Sequence, residues 1–103
     1  NKLLLLEDLD EYLYHIDRLM LHLDRAGKLA NLAGLIVGSL TDMKDNEIPF
    51  GKAAEEIVHH YAAKYNYPIA FGIPIGHIPD NRAIIIGAET QLVVDDNQTK
   101  LLV

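Results

Sequence analysis

Apolar positions follow two different spacings along this chain, and the change of spacing divides it. Leu3 to Leu6 form an unbroken apolar run, so residues 2–6 read as a strand covered on both faces. Leu9, Tyr12, Leu13, Ile16, Leu19, Met20, Leu23 and Ala26 then recur at steps of three and one, which is the period of one helix face. Asp8 and Glu11 stand at capping-box spacing before that helix, and Gly27 supplies its C-terminal stop. Leu32 to Val37 is nearly all apolar, as expected of a second buried strand. Strand, helix and strand of these lengths predict a right-handed crossover with parallel strands.

The polar stretch from Thr41 to Pro49 reads as a surface loop. A second helix is expected over 51–65, with Ala53, Ala54, Ile57, Val58, Tyr61, Ala62 and Tyr65 as its apolar stripe. Pro68 blocks its continuation, and Ile69 to Phe71 give a short third strand. After Gly72 the helical spacing disappears. Residues 83–86, 91–94 and 100–103 are short β segments, with Asp95 to Gln98 as a turn between the last two. The expected fold class is therefore α/β: a small parallel sheet with two helices, plus an antiparallel β layer.

Composition narrows the function. A chain of 103 residues fits one domain, and a hydrophobic content of 50% allows a real core. The net charge of −6, with no basic patch against it, argues against nucleic acid as the main partner. There is no cysteine, hence no disulfide and no thiolate nucleophile or ligand. No apolar run reaches the roughly 18 residues that a membrane helix needs. The chain opens at Asn1 and enters a strand almost at once, which reads as a piece of a longer protein.

Two residues stand out chemically. Glu7 lies at the expected end of the first strand, just before a helix N-terminus, where ligand and catalytic groups gather in open α/β sheets. The helix dipole there would favour its ionised form. By position alone it could equally be a solvated strand-end residue. His77 lies in Phe71-Gly72-Ile73-Pro74-Ile75-Gly76-His77-Ile78-Pro79, where two glycines and two prolines constrain the backbone. A rigid loop holding one imidazole suits a general base, although a surface turn histidine fits as well.

The other candidates are weaker. His59 and His60 are adjacent on a helix and point about 100° apart, so they cannot chelate one metal together. His15 and His22 read as solvated positions on the first helix. With no cysteine and no His-x-x-x-His pair, a zinc site is not expected. The acidic loop from Asp42 to Glu47 lacks the glycine of a calcium-binding EF-hand loop. Ser39 is the only serine, and a polar loop follows it instead of the strand-to-helix turn of a nucleophile elbow. A serine hydrolase built on this chain would carry its nucleophile elsewhere.

These residues bring out a resemblance. Leu3 to Asp8, Ile16-Asp17-Arg18-Leu19-Met20 with Leu23, Ala26-Gly27, Gly34 to Gly38, Tyr67 to His77 and Ile84 to Ala88 together resemble the LD-carboxypeptidase family, in the right order. The resemblance spans essentially the whole chain. It implies the C-terminal domain of a two-domain serine peptidase, with a swivelling β/β/α-type fold. In that family a Ser-His-Glu triad takes its serine from an N-terminal domain. Glu7 matches the triad glutamate and His77 the histidine; Glu11 is a second carboxylate close by, but Glu7 directly follows the strand. The implied substrate is a murein tetrapeptide losing its terminal D-alanine in the bacterial cytoplasm. No cofactor or metal is implied.

Several further expectations follow from the resemblance. The chain alone would be inactive, since it lacks nucleophile and oxyanion hole. The face left by the missing N-terminal domain would favour self-association, at its simplest a homodimer. A family branch that hydrolyses peptide-nucleotide antibiotics is disfavoured, because no tryptophan is present to stack a base. A peptide-binding module that works without the triad is the alternative from another class.

Overall fold

The computed structural model describes residues 1–102. Its elements are β1 (Lys2–Leu9), α1 (Leu13–Arg25), β2 (Leu32–Thr41), α2 (Ala54–Ala62), a 3-10 turn (Ala63–Tyr65), β3 (Ile69–Ala70), β4 (Gln91–Val94) and β5 (Thr99–Leu102). β1, β2 and β3 form a parallel sheet in that order, and β4 and β5 pair antiparallel. The expected α/β architecture is the one observed: a small parallel sheet, two helices and an antiparallel pair.

The core follows from the spacings. β2 is the central strand, and its residues from Gly34 to Gly38 are all buried. Leu35 and Val37 meet Ile16 and Met20 of α1 and Ile57, Val58 and Ala62 of α2, in one cluster. Polar contacts tie the two helices together at their edges. The Tyr61 hydroxyl donates to Asp17 at 2.8 Å, and Lys64 donates to Asp24 at 2.6 Å. The Tyr65 hydroxyl also donates to Asp24. On β2, Gly34 is the point where the hairpin of β4 and β5 comes close: a Cβ there would lie 3.0 Å from both Leu92 and Leu3 side chains. The turn between β4 and β5 forms as expected, with Asp95 Oδ1 accepting the Asn97 and Gln98 amides at 2.8 Å.

Four sequence expectations change. First, β1 does not stop at Leu6. β2 runs on to Thr41, so the backbone of β1 keeps a partner as far as Leu9, which pairs with Thr41. Second, α1 begins at Leu13 with Tyr12 as an N-cap that makes no side-chain bond. Asp8 and Glu11 therefore form no capping box; Asp10 turns the chain with a positive φ of 58°, and Glu11 instead pairs with His15 at 3.2 Å. Third, α2 is shorter than 51–65. It starts after Ala53, whose amide is accepted by Glu56 at 3.1 Å, and tightens into the 3-10 turn before Asn66. Fourth, residues 83–86 pair with no strand among the described residues. Ile85 and Ile86 are 72% and 79% exposed, and no strand among the described residues lies beside them. The strand expected over 100–103 is β5, and Val103 lies outside the described residues.

Candidate active site

The C-terminal ends of β1 and β2 face the rigid loop around His77. Between Leu6, which pairs with Val37, and Asp8, which pairs with Leu40, the register shifts. Glu7 alone on β1 thus stands opposite both Gly38 and Ser39 on β2. Such a bulge adds one residue to one strand and re-aims the side chains beside it. The helix N-terminus is not what surrounds Glu7, since α1 starts only at Leu13 and a helix dipole acts within its first turn.

Gly38 allows the loop to approach. A Cβ on Gly38 would overlap the Ile75 carbonyl oxygen and reach 3.3 Å from Glu7 Cβ. That same carbonyl accepts the Ser39 amide at 2.8 Å, and Val37 accepts the Ile73 amide at 3.3 Å. The loop therefore docks on β2 like a short, irregular extension of the sheet. Gly76 follows with a positive φ of 126°, a conformation that side chains other than glycine rarely adopt. Its amide donates to Asn81 Oδ1 at 2.9 Å, and the Arg82 amide donates to Pro74 at 2.8 Å, closing the loop on itself. Thr41, the last residue of β2, donates its hydroxyl to the His77 carbonyl at 3.1 Å.

This scaffold brings the two sequence candidates together. His77 Nδ1 lies 3.2 Å from Glu7 Oε2. The imidazole is 55% exposed and the carboxylate 32%, so the pair sits at the surface with its ring open to a reactant. With Nδ1 turned to the carboxylate, Nε2 is the nitrogen that can exchange a proton with an incoming group. Close by, Arg82 grips Asp80 through two bonds of 3.0 Å. Those bonds hold the Asp80 carboxyl below its ordinary value of 3.8, so its charge persists beside the loop.

The remaining candidates stay apart from the pair. Glu11 is taken by His15, not by His77. His59 and His60 lie on exposed positions of α2, where an open depression is lined by Lys52, Glu55, Glu56 and Phe71. Neither Glu7 nor His77 lines that depression, and it holds no group placed for proton transfer with them. Among the described residues, no three His, Asp or Glu side chains converge as metal ligands. Ser39 is nearer than the sequence suggested. Its Oγ is buried under Gly76, where a Cβ would overlap it, and it makes no hydrogen bond. A buried oxygen of that kind cannot attack a substrate. Gly38, Thr41 and Asn81 are the supporting residues to which sequence reasoning gave no role in the site; Gly76 was one of the two glycines noted beside His77.

The comparisons with known proteins point one way. Residues 1–92 match the family described as LD-carboxypeptidase C-terminal domain. A Bacillus subtilis protein described as a probable murein peptide carboxypeptidase is 32% identical over 92 residues, covering 89% of this chain and 29% of that protein. A murein tetrapeptide carboxypeptidase of Pseudomonas aeruginosa is 32% identical over 83 residues, covering 81% of this chain and 26% of its own. In structure, the muramoyltetrapeptide carboxypeptidase of Oxalobacter formigenes superposes with a TM-score of 0.84 at 24% identity, over 98% of this chain and 35% of that one. The chain thus spans less than a third of the length of these two sequence relatives.

Proposed function

The chain belongs to the LD-carboxypeptidase family, as its C-terminal domain, and from that premise we propose that it supplies the glutamate and histidine of a serine peptidase acting on murein tetrapeptides. The observation that carries the reading is the 3.2 Å approach of His77 Nδ1 to Glu7 Oε2, made by two segments far apart in sequence. The geometry suits the roles of base and orienting acid. His77 Nε2 would take the proton of a serine Oγ as that oxygen attacks the amide carbon. Glu7 would hold the ring in the Nδ1–H tautomer and stabilise the imidazolium. The imidazolium would then protonate the leaving amine, releasing D-alanine, and a water would be activated in the same way to free the acyl group.

The serine and the oxyanion donors would come from an N-terminal domain on the longer protein. In this reading the chain is inactive alone. We place the reaction in the bacterial cytoplasm, on recycled murein peptides. Ile48, Ile85 and Ile86 are exposed, and such apolar side chains suit cover by another domain or copy.

The test compares two carboxylates in the full-length protein. Glu7→Gln keeps the shape but cannot stabilise the imidazolium, so kcat for D-alanine release should fall on the order of 10³ to 10⁴-fold. Glu11→Gln should stay within about two-fold, because the Glu11 carboxylate pairs with half-buried His15 and not with His77. If the two results were reversed, Glu7 would not be the orienting acid.

A further inference from the structure

We infer that Ser39 is a positioning residue for Glu7, donating its hydroxyl to the carboxylate as His77 becomes charged; this rests on the triad reading above. Among the described residues, Ser39 Oγ is the buried side-chain oxygen without a hydrogen-bond partner. Such an orphan opposes folding, so packing gives no reason for a hydroxyl where alanine would fit. Its place supplies a reason. A Cβ on Gly76 would overlap Ser39 Oγ and lie 2.8 Å from Glu7 Oε2. The hydroxyl and the carboxylate thus share one small space beneath the Gly76 backbone.

The bulge opposite Glu7 is what turns Ser39 into that space. Ser39's own amide is fixed to Ile75 at 2.8 Å, so the side chain is held there from its backbone. Glu7 Oε2 stands 3.2 Å from His77 Nδ1. That is longer than the roughly 2.7–2.9 Å of a charge-assisted N–H···O bond. When His77 takes a proton, the carboxylate closes on the imidazolium, and the Ser39 O–H then fixes the carboxylate from beneath. Ser39 keeps its proton throughout and touches neither substrate nor nucleophile. Hydrogen bonds at catalytic groups are often long at rest and tighten along the reaction, which fits a hydroxyl without a partner here.

The experiment uses the full-length protein and D-alanine release from a murein tetrapeptide, with wild type, Ser39→Ala and His77→Ala side by side, each with its melting temperature. Loss of a bond to a charged group predicts a fall in kcat of about 10- to 100-fold for Ser39→Ala. KM should be unchanged, and the melting temperature unchanged or higher, since the buried orphan is gone. A purely structural role would instead lower the melting temperature with the activity, and that result overturns the inference. Unchanged kcat in Ser39→Ala beside an inactive His77→Ala also overturns it, while leaving the triad reading intact. A wild type without activity, or a His77→Ala variant as active as wild type, defeats the triad reading and this inference with it.

Discussion

Replacing Gly38 by alanine tests how closely the His77 loop is seated on β2. The added methyl would overlap the Ile75 carbonyl oxygen and reach 3.3 Å from Glu7 Cβ. The obstacle is backbone, not the mobile tip of a side chain, so the loop itself must move. Overpacking of this sort costs about 1–3 kcal/mol. Moving Ile75 also stretches the 2.8 Å bond that its carbonyl accepts from Ser39. Its loss adds about 0.5–1.5 kcal/mol. A total near 2–4 kcal/mol lowers the melting midpoint of a domain this size by about 10–30 °C. Displacing the loop by about 1 Å also separates His77 from Glu7 and should reduce kcat about 100-fold. Gly27→Ala is the matched control. Gly27 has a positive φ of 76° but nothing within 4 Å of a new Cβ. It should lose about 1–2 kcal/mol through the left-handed backbone alone and keep full activity. Thermal melts of both variants, with kcat measured on the full-length protein, decide the matter. A Gly38→Ala protein that melts with the wild type and keeps its activity would refute the close seating of the loop.

Other perturbations reach the scaffold. Ile57→Ala empties a core position that is 1% exposed and should cost about 2–5 kcal/mol by chemical denaturation. Tyr67→Phe removes the 2.8 Å bond from its hydroxyl to the buried Leu29 carbonyl, for about 0.5–1.5 kcal/mol, with no effect on kcat. Asp24 carries a pH dependence: its hydrogen bonds from Lys64 and then Tyr65 hold its carboxyl below the ordinary 3.8. A carboxyl depressed by folding stabilises the protein above its unfolded value, and this contribution disappears as pH falls through the lower folded value. Acid titration should therefore show wild type losing stability below pH 3.8 more steeply than Asp24→Asn, and parallel curves would contradict the pairing.

Much of this architecture was legible in the spacings. The apolar runs at Leu3 and Leu32 and the stripes around Ile16 and Ile57 predicted the strands and helices that meet in the core. The errors outside α2 share a cause, which is that pairing partners decide where strands form and end. Nothing near Leu6 signals that β2 runs to Thr41, so the three extra residues of β1 and the failed cap at Asp8 came together. Ile84 to Ile86 carry a strand composition, but β composition reports fitness for a pleated surface and cannot supply the neighbouring strand. His77 was recognisable because glycines and prolines constrain the chain around it. The bulge at Gly38 and Ser39 was not, because it exists only as a mismatch in count between two strands. Hence Ser39 reads from sequence as a weak candidate nucleophile, but its seat beside Glu7 could not be foreseen.

We propose that His77, held by Glu7, is the base of a murein peptidase. The most direct measurement is D-alanine release from a murein tetrapeptide by the full-length protein, wild type beside His77→Ala. The wild type should release D-alanine and the variant should lose on the order of 10³-fold or more, with both proteins equally folded by circular dichroism. Equal rates in the two proteins would contradict it.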